Sequence, residues 1–122
     1  MTQRLALTSL LVRNYDDAID FYVRRLGFEL SEDVDQGQGR RWVVVRPKGS
    51  DAGLVLAMAT DAHQQHRIGD QSGGRVWLFL ETNDFDGDYG RMKQAGIRFR
   101  ETPRQIGKPR AAAAADLRAA AR

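Results

Sequence analysis

The stretch "VRNYDDAIDFYVRRLGFEL", Val12 to Leu30, decides how the rest of the chain is read, because it carries a helix together with both of its ends. Asn14 is the expected N-cap, since its side-chain oxygen can accept the backbone N–H groups that a first turn leaves unpaired. Asp16 and Asp17 follow at the positive end of the helix dipole, and Arg24 and Arg25 stand at the negative end. Gly27 comes after Leu26, where a helix commonly stops on a left-handed residue. The expected helix is therefore about Tyr15–Leu26.

The flanks read as strands. "LALTSLLV" (Leu5–Val12) is apolar enough for a buried strand before the helix. "GFELSED" places a strand near Phe28–Ser31, and "QGQGR" (Gln36–Arg40) is a loop by its glycines. "RWVVVRP" is a strand closed by Pro47, and "LVLAMAT" is another after the turn "KGSDAG". The order is one strand, one helix and three strands.

The same order begins again in "RVWLFLETNDFDGDYGRMKQAGIRFRE", Arg75 to Glu101. "RVWLFLE" (Arg75–Glu81) alternates and is rich in strand formers. Asn83 or Asp84 can cap a helix carrying Phe85, Tyr89 and Met92 on one stripe. Gly96 ends it, and "IRFRE" (Ile97–Glu101) is the next expected strand. Tyr15 aligns with Phe85 at an offset of 70, and Gly27 with Gly96 at an offset of 69. The second helix is thus one residue shorter, and Gly87 and Gly90 weaken it by about 1 kcal/mol each. A repeat of this length points to an internal duplication.

A paired strand–helix–three-strand unit resembles the vicinal oxygen chelate superfamily, which includes glyoxalase I, bleomycin- and fosfomycin-resistance proteins and extradiol dioxygenases. "LLVRNYDDAIDFYVRRLGFEL" looks like that family's opening segment, and "RVWLFLETNDFD" resembles the opening strand of its second module. The resemblance spans about residues 4 to 103. It implies an α+β fold of two βαβββ modules, whose curved mixed sheets form a cup with the helices outside. Residues 1–122 then form a single domain. Module one is about 4–60, a linker about 61–73, and module two about 74–103. The Ala/Arg-rich tail 107–122 departs from the family pattern, so the second module lacks its last two strands. The sheet edge this leaves would need a cover, and the resemblance implies a homodimer that supplies it.

Bulk composition agrees with one such domain. The 122 residues are 42% hydrophobic and 29% charged, enough for a single core. The net charge of +3 comes with no basic stripe interleaved with aromatics, which argues against nucleic acid. No apolar run approaches about 18 residues, which argues against a membrane span. Cysteine is absent, which removes disulfides and thiolate chemistry and favours a cytoplasmic location.

The resemblance also implies metal ligands at stated places. The first, usually His or Gln, stands seven positions before the residue that opens the first helix; that position holds Leu7. The corresponding position before Asp84 holds Trp77. A Glu late in module one is replaced by "GLVLAMATD", with no carboxylate before Asp61. The fourth ligand would accompany a Tyr-Gly-Asn-type stretch that is absent. Leucine and tryptophan cannot bind a divalent cation. His63 and His66, in "DAHQQHRIGD", have metal-like spacing but sit in a run of polar residues that reads as a solvated connector.

Without the metal, the cup keeps its walls. Alternation puts Arg75, Trp77, Phe79 and Glu81 on one face and Val76, Leu78 and Leu80 on the other. The aliphatic face suits the underside of the helix; the mixed face suits the cup. Strand one contributes Leu7, Ser9 and Leu11, and Trp42, Val44 and Arg46 form another mixed face. Arg41 and Arg46 read equally well as surface charges that protect a sheet edge. The candidate ligand-binding residues are Leu7, Ser9, Trp42, Arg75, Trp77 and Phe79, around a planar or anionic small molecule. A general acid or base would have to come from Glu81, Tyr22, Tyr89 or a histidine; none sits in a recognisable pair or triad, and Glu81 on the cup face is the best single candidate. Three readings stay open. They are a metal-free binding protein with no cofactor, a metal-dependent lyase, isomerase or dioxygenase with displaced ligands, and a domain with a filled cup that acts by association.

Overall fold

A computed structural model describes residues 1–99 of the chain. Its elements in order are β1 (Leu7–Val12), α1 (Tyr15–Ile19) with a π-helical continuation (Asp20–Arg25), β2 (Glu29–Gly37), β3 (Arg40–Arg46), β4 (Gly53–Met58), α2 (Ala62–Arg67) and α3 (Phe85–Gln94). The fold is mixed α+β, built on one four-stranded sheet in the order β1-β4-β3-β2. β1 runs parallel to β4 and the other pairs are antiparallel.

The first helix forms as its punctuation requires. Asn14 is extended, and its side-chain oxygen accepts the Asp17 N–H at 2.8 Å. The second half winds more loosely: the Leu26 N–H donates to the Phe21 carbonyl at 2.8 Å, five residues back. Such a π turn accommodates one additional residue in a helix. Gly27 then takes φ +92°. The second helix repeats these devices at the aligned positions. Asp84 accepts the Gly87 N–H at 3.2 Å, and Gly96 takes φ +85°. The additional residue of the first helical segment thus coincides with its π winding.

β2 is longer than its sequence suggests. All nine of its residues are exposed, so no alternation marked it. The loop expected over Gln36–Arg40 shrinks to two residues. Gln38 (φ 58°) and Gly39 (φ 79°) both have positive φ, as the tight hairpin turn between right-twisted strands demands. Arg41 fastens this hairpin to the first helix. It pairs with Asp33 at 2.7 Å and Asp16 at 2.8 Å, and lies 5.3 Å over the Tyr15 ring. The Arg41 guanidinium holds the Asp33 carboxyl below its ordinary range, mainly by hydrogen bonding. β3 lies inside the sheet, so Arg41 and Arg46 do not guard an edge: Arg46 instead donates to the Asp51 carbonyl of the β3–β4 turn.

The core lies between the sheet and the helices. Leu10 and Val12 of β1, Val43 and Val45 of β3, and Leu54 and Leu56 of β4 meet Tyr15, Ala18, Phe21, Tyr22 and Leu26. Each fully buried aliphatic side chain contributes about 1.5–3 kcal/mol. Tyr22 is fully buried, and among the described residues its hydroxyl has no partner. Burial raises its pKa well above the ordinary tyrosine value.

The stretch expected as a strand over Arg75–Glu81 is not one: no ladder pairs residues 76–82 among the described residues. A strand needs a neighbour for its N–H and C=O groups, and intrinsic preference alone does not hold one flat. Ile97 to Phe99 are likewise outside any ladder. The remainder of Ile97–Glu101, the expected end of module two near 103 and the tail 107–122 lie outside the described residues. Among the described residues, no helix is long and apolar enough to cross a membrane.

Candidate functional site

The register of the sheet sorts side chains onto two faces. Leu10 pairs with Leu56 and Val12 with Met58, and these point at the helix. Ser9 pairs with Val55, Val55 with Val44, and Val34 with Trp42. Cross-strand partners share a face. Leu7, Ser9 and Leu11 therefore share the side away from the helix with Trp42, Val44 and Arg46. Val44 is fully buried yet stands outside the helix-side core cluster, as this second face requires. This face is mostly apolar, with Leu7 and Val34 exposed, Trp42 half-buried and Val44 fully covered, and Glu32 stands on it beside Val44.

The structure thus brings Leu7, Ser9 and Trp42 onto one surface. The candidates of the later segment are placed differently. Trp77 packs with Leu78 and Leu80 against the core, although alternation assigns them opposite faces. Phe79 is 68% exposed and Val76 54%. Arg75 and Glu81 are exposed. Outside a ladder the chain is not pleated, so its side chains lose the period of two.

Among the described residues, the donor set that a metal would need does not assemble. Leu7 and Trp77 stand at two of the expected ligand positions. β4 carries no carboxylate, and Asp61 spends its side chain capping α2 on the Gln64 N–H at 2.8 Å. His63 and His66 lie on the exposed surface of α2. Among the described residues no group of three His, Cys, Asp or Glu side chains comes together. The fourth expected position falls outside the described residues. The residues present do not fit the group.

Two features had no signal in the sequence. The Gln71 carboxamide lies against the outer edge of β1, accepting the Leu11 N–H and donating to the Leu11 carbonyl, each at 3.3 Å. It mimics one step of a neighbouring strand. Thr8, Leu10 and Val12 face β4 with their backbone groups, because alternate residues of a parallel strand bond the same neighbour. Leu7 and Ser9 therefore present theirs at the outer edge, where no strand pairs with them among the described residues. The other feature is a groove between the end of the first helix, the turn after β3 and the start of α3. Of the sequence candidates, only Glu81 lines it.

An α+β unit with this strand order, a capped helix behind it and a largely apolar second sheet face defines a class of small α+β domains built on a four-stranded sheet. The glyoxalase/bleomycin resistance protein/dioxygenase superfamily model matches residues 4–117. The chain belongs to that superfamily. An uncharacterised protein of Shewanella frigidimarina is 50% identical over 107 residues, covering 86% of this chain and 79% of that one. Among solved structures, TnmS3, an antibiotic binding protein from Streptomyces sp. CB03234, is 31% identical with a TM-score of 0.68, over 89% of this chain and 83% of that one. UcmS2 is 28% identical with a TM-score of 0.69, over 88% and 85%.

Proposed function

We propose that this chain is a metal-free small-molecule binding protein, which takes a planar or anionic organic ligand against the sheet face of Leu7, Ser9 and Trp42. The observation that carries the reading is that face itself. Its accessible side chains include Leu7, Val34 and the half-buried Trp42, and leucine occupies the place where the superfamily's metal ligand would be. The likeness to TnmS3, an antibiotic binding protein, supports a binding role over a catalytic one. We read the protein as a homodimer of the cytoplasm. The exposed Val76 and Phe79 and the outer β1 edge at Leu7 and Ser9 are surfaces a second copy would cover. Arg75 and Phe79 of that copy would then supply the second wall.

The test combines elemental analysis with tryptophan fluorescence. The purified protein is expected to hold no stoichiometric divalent metal beyond a chelator-treated control. Screened aromatic anions should quench the tryptophan fluorescence saturably, and Leu7→Asp, which removes apolar contact and repels the anion, should weaken that binding by at least roughly tenfold, about 1.4 kcal/mol. Stoichiometric metal would overturn the reading in favour of a metal-dependent lyase, isomerase or dioxygenase.

A further inference from the structure

We propose a second ligand site, separate from the sheet face, in the groove beside α3. It binds small organic monoanions with an apolar body. The groove has a volume of about 1080 Å³, room for a drug-sized molecule. Its floor is partly apolar: Leu80 and Phe85 are half-buried there over the buried Leu26, Phe28 and Met92, and much of the remaining lining is polar.

The rim decides the charge. Asp88 is already committed, accepting from the Thr82 hydroxyl at 2.5 Å and pairing with Arg91 at 3.6 Å. Arg91 also donates to the Leu26 carbonyl at 3.2 Å, crossing directly over Gly27. A Cβ on Gly27 would lie 2.7 Å from Arg91 Nη1, so the glycine keeps this crossing open. The guanidinium is therefore held in place on the groove wall, and it has N–H donors beyond these two contacts. Lys48, set at the end of β3 by Pro47, has no ion pair among the described residues. An ammonium and a fixed guanidinium above a partly apolar floor suit a carboxylate or sulfonate carried on an aromatic or branched body. Glu81 stands on the same wall, and its carboxylate disfavours a second negative charge on the ligand.

This site does not depend on the sheet-face reading, and one experiment separates them. Anilinonaphthalene sulfonate is titrated into the full chain, followed by its emission and by amide shifts in proton–nitrogen spectra. Saturable binding is expected, with shifts at Gly27, Lys48 and Thr82. Lys48→Met should weaken it roughly tenfold, the loss of one charged hydrogen bond. Leu7→Asp should leave the midpoint of the Gly27, Lys48 and Thr82 shifts within about twofold, whatever it does to binding at the sheet face, because Leu7 does not line the groove. No saturation by roughly millimolar probe, a weak limit for a specific site, would overturn the proposal. So would equal binding by Lys48→Met, loss of those three shifts in Leu7→Asp, or equal affinity for uncharged N-phenylnaphthylamine.

Discussion

Between Leu7 and Met58 the chain forms four strands in one sheet, and a capped helix closes over their inner face. Between Arg75 and Phe99 a helix forms with the same kind of cap, but the segment before it joins no ladder. The two regions carry similar local instructions. They differ in whether strand neighbours are present among the described residues. A helix satisfies its hydrogen bonds within itself, so α3 forms from its own sequence plus one buried stripe; a strand does not.

The widest gap between the regions should appear on truncating a core leucine in each. Leu56 is buried at the centre of the sheet, whereas Leu78 only packs against the core from outside. Leu56→Ala should cost about 3 kcal/mol and Leu78→Ala about 1 kcal/mol or less by denaturant unfolding. Equal costs would mean that the later segment is as integral to the core as β4. The paired glycines give a smaller contrast. Gly27 and Gly96 both have positive φ, but only Gly27 faces an obstacle, the Arg91 guanidinium. Gly96→Ala should cost about 1 kcal/mol from backbone strain, and Gly27→Ala about 2 kcal/mol. If the two variants melt together, Arg91 does not clamp the first helix to α3.

The smallest effect has the opposite sign. The Tyr22 hydroxyl is buried without a partner among the described residues, while Tyr89 is half-buried on α3. Tyr22→Phe should stabilise the protein by about 1 kcal/mol, because it removes an unsatisfied polar group. Tyr89→Phe should be close to neutral. A Tyr22→Phe variant that melts earlier than wild type would show that the hydroxyl has a partner after all.

Much of this molecule was legible before any coordinates. The caps at Asn14 and Asp84, the stops at Gly27 and Gly96, and the strands around Leu10, Val44 and Leu56 follow from residue chemistry and spacing. β2 was only half legible, because a strand exposed along its whole length shows no alternation, and its length comes from pairing with β3. Of the candidate site, the mixed faces carrying Leu7 and Ser9 on β1 and Trp42 on β3 were legible strand by strand, since periodicity survives wherever a ladder exists, but that they share one side of the sheet came from the pairing. Trp77 was not legible, because the same periodicity means nothing without one. The groove was illegible altogether. Leu26, Lys48 and Arg91 are far apart in sequence, and no local pattern announces that they meet.

The sequence by itself determined the helices and their ends, because capping, dipole and glycine preferences act over a few neighbouring residues. It also determined the chemistry at the expected ligand positions, because leucine and tryptophan cannot become cation donors in any fold. Tertiary structure alone decided which β-prone segments became strands, how the first helix absorbed its additional residue, and which distant side chains share a groove. Those outcomes depend on partners brought across the chain, and a hydrogen bond or a buried surface exists only when both sides arrive.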